Sequence, residues 1–191
     1  MNTPSHAIIN LALLAQPQPP QANFAIVIGG ILPDIPIFIF YFWAKFLARL
    51  PEAKIWSEAY YQPLTQNIVA IFHSIPLAII AWLISYYFGW QIVQVICISV
   101  VWHSLLDLPV HNDDAHRHFF PFSNYRFISP ISYWDPKHYG SIVAFIEILL
   151  VLLATLQVFP RINSFAGKGL IILVNIFYFT SYVTKNIVPA N

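Results

Sequence analysis

Charge is what this chain has least of. Of its 191 residues only 9% are Asp, Glu, Lys or Arg, against 58% hydrophobic and 17% aromatic, whereas soluble domains carry about 25% charged residues. So few charges cannot cover a globular surface in water, and a mean hydropathy of +0.65 points to lipid as the main solvent. A formal net charge of +1 gives no general attraction to a polyanion, which argues against nucleic acid as a partner. Cysteine is almost absent. Cys97, alone between Ile96 and Ile98, excludes an intrachain disulfide, leaves the redox compartment open, and reads as a small apolar residue. Basic residues are missing before Lys45, and no small-x-small site follows the first apolar run, so no secretory signal peptide is expected. What is left fits one membrane domain over residues 1–191.

The apolar runs predict an all-α, multi-pass membrane helix bundle with about five transmembrane helices. Thr3-Pro4-Ser5-His6 reads as a helix start, with Thr3 as N-cap and Pro4 at the first helical position. The run 7–15 ends at Gln16-Pro17-Gln18-Pro19-Pro20 and is too short to span, since a crossing needs about 20 residues. It is either a re-entrant helix or one packed on the bundle. Residues 24–44 are long enough but are interrupted at Gly29-Gly30 and at Pro33-Asp34-Ile35-Pro36. Broken backbone at membrane depth needs protein or a water-filled cavity around it. Residues 68–88, 92–108 and 141–159 make three further spans, and 170–183 a marginal fifth. The loop 109–140 is long, and seven Phe, Tyr and Trp before Tyr139 argue against disorder.

Lys and Arg set the expected orientation. Seven fall on one side (Lys45, Arg49, Lys54, Arg117, Arg126, Lys137, Lys185) and two, Arg161 and Lys168, on the other, which puts the long loop in the cytoplasm. The same orientation gathers His73, His103, Asp107 and Glu147 near that face. His6 and Asp34 join them if the N-terminal run and 24–32 form a hairpin. If 24–44 crosses straight through, His6 is stranded on the far side.

Residues 102–126 concentrate the chemistry. They hold His103, His111, His116 and His118, four of seven histidines, with Asp107, Asp113 and Asp114, three of eight acids. Imidazole and carboxylate are the ligands of Zn, Mn and non-haem Fe. His103 and Asp107 are spaced i, i+4 and share a helix face; they either bind an ion or hydrogen-bond each other. Pro109 ends that helix, so His111 either folds back as a ligand or is a loop residue. His116 and His118 share a face if extended. Asp113 and Asp114 are catalytic candidates or solvated loop charges. Asp34, costly inside an apolar run, is a ligand candidate or a helix cap. His73 is a ligand or a bond to a neighbouring helix. Glu147, alone among aliphatic residues, is a ligand, an orienter of a ligand, or a general base.

Five features together, in this order, resemble the membrane-bound metal-dependent hydrolases of the LexA-regulated inner-membrane type. They are His6, Leu32-Pro33-Asp34, His73-Ser74, His103-x-x-x-Asp107, and Phe120-Pro121-Phe122-Ser123-x-Tyr125-Arg126-Phe127. The resemblance covers roughly residues 3–130. It implies a bacterial inner-membrane protein with a divalent metal ion, Zn foremost and Mn or Fe as alternatives, held by those His and Asp residues. It also implies hydrolase activity. Three places depart from the pattern. Pro36 stands where a second acid is usual, Ile68 and Val69 where a His-Arg pair is usual, and Phe72 where Thr is usual. The histidine-rich loop is the available replacement, or else it marks a divergent branch.

The leading expectation is therefore a metal-dependent hydrolase at the cytoplasmic face of the membrane, acting on a lipid-borne or amphipathic ester or phosphoester. Glu147, Asp113 or Asp114 would take the proton. A metal-handling or ion-transporting membrane protein, and a non-catalytic membrane scaffold, are the alternatives.

Overall fold

The computed structural model describes residues 1–15 and 22–186; the break expected at 16–20 lies outside the described residues. Among these every regular element is helical and no strand occurs, so the chain is an all-α bundle. Four helical lengths are long and apolar enough to cross a membrane, Ala22–Leu47, Gln91–Val110, Gly140–Arg161 and Phe165–Lys185. A bent pair, Pro63–Phe72 with Ile75–Tyr87, adds a fifth if it counts as one span.

Helix α1 (Thr3–Leu14) is the innermost element. Its residues Ser5 to Ala12 are all buried, so of the two expectations for this run, packing inside the bundle is the one observed. Lipid gives helices no hydrophobic reason to associate, so polar side chains and close van der Waals fit must hold them together. Here Asn10 Nδ2 donates to Ser99 O and Ser99 Oγ, both at 2.8 Å. The N-cap is Asn2, with no side-chain cap bond, and not Thr3 as expected. Thr3 Oγ1 donates instead to Asp34 Oδ2 at 2.6 Å. The capping acceptor comes from another helix: Glu147 Oε1 takes Asn2 N–H at 2.9 Å and Ser5 Oγ at 2.5 Å, a carboxylate placed where the helix dipole favours one.

Helix α2 (Ala22–Ile31) runs through a 3-10 turn, Leu32–Asp34, into α3 (Ile35–Phe42) and a π turn, Trp43–Leu47. Pro33 and Pro36 lack N–H donors and tighten this junction. Gly29-Gly30 does not interrupt the helix. A Cβ on Gly29 would lie 2.4 Å from Ile96 O and 2.6 Å from Ser99 Cβ, so the bare glycine lets α2 press against α7 (Gln91–Asp107). Gly29→Ala is accordingly expected to cost about 1–3 kcal/mol of stability through overpacking, read as a lower melting temperature in detergent. An unchanged melting temperature would show that this crossing has slack.

A short turn, α4 (Glu52–Lys54), leads to α5 (Pro63–Phe72) and α6 (Ile75–Tyr87). These two meet at a 46° bend. Pro76 crowds the Phe72 carbonyl one turn back and forbids a straight continuation, and Ser74 caps the new start by accepting from Leu77 N–H at 3.1 Å. Helix α7 ends where Pro109 forces a 3-10 turn, Leu108–Val110. After the loop come α8 (Gly140–Val158) and α9 (Phe165–Asn186).

The hydrogen bonds fix the directions. Ser99 Oγ donates to Ile26 O at 2.6 Å, and His103 Nδ1 to Gly30 O at 2.9 Å, one turn on in both helices. Thus α2 and α7 run parallel, while α1 runs against them with His6 at the level of His103 and Asn10 at that of Ser99. Helix α8 runs with α1, from Glu147 beside Asn2 to Gln157 Nε2 on Ala12 O at 2.8 Å. The helical length 22–47 does continue straight through, yet His6 is not stranded, because α1 returns alongside it within the bundle. The apolar core between α1, α2, α8 and α9 includes Ile8, Leu11, Ile26, Val151, Val158 and Ile171. Large side chains such as Phe38, Phe42, Leu153, Leu156 and Phe177 face outward, as a lipid-facing surface requires. The polar cluster sits at one end of that core.

Candidate metal centre

Six of the seven histidines meet at this end. His6 stacks on His103 with ring centroids 3.7 Å apart. His73 lies 5.2 Å from His103, 4.1 Å from His116 and 6.2 Å from His118, and His116 is 4.8 Å from His111. All six are buried, with His6, His73 and His103 wholly shielded. His138 stays outside the cluster, paired with Asp135 at 2.7 Å. Two acids stand among the rings, Asp34 from the α2–α3 junction and Asp107 from the end of α7, and both are buried.

The tautomers follow from the neighbours. A backbone carbonyl can only accept, so His73 Nδ1, 2.9 Å from Val69 O, and His103 Nδ1, 2.9 Å from Gly30 O, carry their ring protons there. Each ring then presents Nε2 as a lone pair, and both Nε2 atoms are buried without a hydrogen-bond partner. They point into one space. Asp34 Oδ1 lies 3.5 Å from His73 Nε2 and 3.7 Å from His103 Nε2. Asp107 Oδ2 lies 3.9 Å and 3.1 Å from the same two atoms. Ligand atoms around a tetrahedral ion with bonds near 2.0–2.1 Å stand about 3.3 Å apart, so Asp34 with His73 and His103 matches a cation in size and in chemistry, and Asp107 Oδ2 stands beside His103. Three groups, His6–His103–Asp107, Asp34–His73–His103 and His73–Asp107–His116, each bring their ligand atoms within 4.8 Å of one another. An outer carbonyl that fixes the proton on the far ring nitrogen is how metal-binding histidines are usually oriented.

The other oxygen of Asp107 faces elsewhere. Oδ1 lies 2.9 Å from His6 Nε2, 3.1 Å from His111 Nε2 and 2.6 Å from the Met1 nitrogen. His111, just past the helix end as Pro109 dictates, folds back to the cluster and lies against Tyr133, with ring centroids 4.9 Å apart and the planes tilted by 45°.

The loop reaches the site because the α5–α6 bend frees backbone groups for it. Ile75 N–H donates to His118 O at 2.9 Å, and Ser74 Oγ donates to Phe120 O. His73 O accepts from Ser104 Oγ at 2.9 Å and faces His118 Nδ1 at 3.3 Å. Arg117 holds Asn67 at 2.7 Å, and Arg126 holds Gln66 at 2.8 Å, tying the loop to α5. Burial holds the His118 imidazole down to about 4. Burial, then the adjacent His73 ring, pushes His116 well below the ordinary histidine range. Both rings are therefore neutral at pH 7, the form that binds metal.

Three expected catalytic residues are placed differently from the ligands. Glu147 spends its oxygens on Asn2 and Ser5 of α1 and belongs to none of the three groups. Asp113 is exposed. Asp114 Oδ2 lies 2.9 Å from His111 Nδ1 and accepts from Trp134 Nε1 at 3.2 Å, so it touches the cluster through His111. Sequence reasoning missed Tyr133, Ser104 and Thr3. Only Ser104 carried any signal, as the neighbour of His103. Comparison with family models, with curated proteins and with solved structures finds no match, so the likeness to the inner-membrane hydrolases rests on the motifs alone.

Proposed function

We propose that this chain is a membrane-embedded, metal-dependent hydrolase acting on a lipid-borne or amphipathic ester or phosphoester. The carrying observation is the pair of buried, unpartnered Nε2 lone pairs of His73 and His103, converging with Asp34 Oδ1 and Asp107 Oδ2. A buried polar atom left without a partner costs about 1–3 kcal/mol, and a divalent ion, zinc foremost, removes that cost from both imidazole nitrogens at once. Such an ion supplies Lewis-acid chemistry, polarising an ester or phosphoryl oxygen and bringing the pKa of water to about 7. The chain's own residues hold and orient it: Val69 O and Gly30 O fix the two rings, Thr3 Oγ1 fixes Asp34, and the loop closes the site from water. Asp114 is the carboxylate best placed to take a proton by way of His111.

A site sealed among apolar helices suits a substrate that arrives from the bilayer. The seven-to-two distribution of Lys and Arg supports a cytoplasmic loop in a bacterial inner membrane. Elemental analysis of detergent-purified protein beside a His103→Ala/Asp107→Ala variant of equal monodispersity tests the reading. The expected result is near-stoichiometric Zn, Mn or Fe in the wild type, none in the variant, and phosphate release from phosphatidate micelles by the wild type only. A wild type that is metal-free and resists reconstitution overturns it.

One observation favours a second reading, ion transport. One helix pair at the site, Pro63–Phe72 with Ile75–Tyr87, is broken at His73–Ser74, and transporters build their sites from broken helices. Metal flux into proteoliposomes without phosphoester hydrolysis would select this reading.

A further inference from the structure

A cavity of about 270 Å³ lies between α8 and α9, roofed by Tyr133 and Trp134 of the long loop. Both roof residues also face the candidate metal centre. The Tyr133 ring lies 4.9 Å from that of His111, and Trp134 Nε1 donates to Asp114 Oδ2 at 3.2 Å. The cavity is therefore one side chain away from the histidine cluster. Its α9 wall faces outward: Phe177, Ser181 and Lys185 line it and are exposed, where the membrane-spanning length Phe165–Lys185 ends.

Size and polarity narrow the occupant. Sites that enclose a whole small molecule run to about 300–1,000 Å³, so this one takes part of a larger molecule whose remainder lies in the bilayer. Its two ends differ. At the inner end Glu147 is engaged with Asn2 and Ser5, and Tyr178 Oη stands 3.0 Å from Ser5 Oγ, so these polar groups serve one another. At the outer end, two turns on along α9 and about 10 Å away, stands the Lys185 ammonium. It carries three N–H donors and places one on Trp134 O at 3.4 Å, which leaves two for a ligand. Ser181 stands one turn before it on the same helix face, and Ile148 and Phe177 supply apolar wall. A basic pocket between helices at the membrane boundary is the arrangement that receives an anionic lipid headgroup. We propose that the α8–α9 cavity binds one anionic glycerophospholipid, its phosphate on Lys185 and the start of an acyl chain against Ile148 and Phe177. This rests on the hydrolase reading above and names its substrate class, a phosphate-bearing lipid presented beside the metal centre across Tyr133.

The test is native mass spectrometry of the detergent-purified full chain with a diether phosphonate analogue of phosphatidate, whose ether and carbon–phosphorus bonds resist hydrolysis, competed against diether phosphatidylcholine. The wild type is expected to retain one phosphonate lipid per chain, preferred about five-fold, the discrimination that one cation beside a headgroup supplies. Lys185→Gln is expected to lose the preference. Ser181→Trp, which fills the cavity from its exposed wall, is expected to lose the lipid altogether, and both variants keep the wild-type metal content. Equal retention of the two lipids, no retained lipid, an unchanged preference in Lys185→Gln, wild-type retention in Ser181→Trp, or displacement of the lipid by inorganic phosphate alone each overturns the proposal. The hydrolase reading fails separately, on metal content and turnover. A metal-free protein that retains the phosphonate lipid leaves the lipid site without the enzyme, and a metal-loaded protein that retains none leaves the enzyme without this site.

Discussion

Asp107→Asn is expected to lower metal affinity by about two to three orders of magnitude. A structural zinc bound by four ligands gains about 10–16 kcal/mol, so one charged ligand in four carries roughly 3–4 kcal/mol, or two to three decades in dissociation constant. Asparagine keeps the volume and one carbonyl oxygen but loses the negative charge, which draws in the cation and which His6, His103 and His111 all face. Thermal melts with and without Zn²⁺ check it. In the wild type the ion is expected to raise the melting temperature, because binding to the folded state alone stabilises it by mass action. In Asp107→Asn that gain shrinks or vanishes. A scaffold whose histidines and aspartates only satisfy each other predicts the opposite: no metal-dependent gain in the wild type, and a variant that is simply less stable. The two readings separate on one instrument.

Glu147→Ala is expected to destabilise the fold by about 2–4 kcal/mol and to leave the metal content of the folded fraction unchanged. Its carboxylate accepts from Asn2 N–H, Asn2 Nδ2 and Ser5 Oγ, and Ser5 is fully buried. Removing the acceptor leaves the buried Ser5 hydroxyl only Tyr178 Oη, 3.0 Å away, and takes the partner from the exposed Asn2; hydrogen bonds to a charged acceptor contribute about 1.5–3 kcal/mol each. For a chain of this size that is a fall in melting temperature on the order of 10 °C. Glu147→Gln keeps an acceptor oxygen and is expected to recover most of the loss. The readout discriminates between roles: a general base predicts normal stability with hydrolysis abolished in both variants, whereas the observed contacts predict lost stability in one and partial recovery in the other.

Asp34, His73, His103 and Asp107 were legible in the sequence because a polar group in an apolar run is costly and so has a specific reason to be there. Pro109 also told its story locally, since it stops any helix and so places His111 just beyond the end. The misreadings share one cause. Gly29-Gly30 reads as a break along the chain, but across the chain it is a close crossing of α2 on α7. Thr3 reads as an N-cap, but Asn2 takes the cap position and, once α1 is folded back, the Thr3 hydroxyl donates to Asp34. Glu147 reads as a base because, along the chain, nothing shows that α1 needs an acceptor there. Each depends on a partner distant in sequence, which local patterning does not contain.

By itself the amino-acid sequence determined the solvent and the element type. So little charge and such long apolar runs leave a polypeptide in lipid one economical option, helices that satisfy their own backbone. It also determined which residues can bind a cation. The tertiary structure decided that α1 is an interior helix, that six histidines from α1, α7, the α5–α6 bend and the loop meet at one place, and that Asp107 has a different neighbourhood on each oxygen. Those outcomes depend on which helices run parallel and on which backbone groups a bend leaves open, and both are set by packing between segments far apart in the chain.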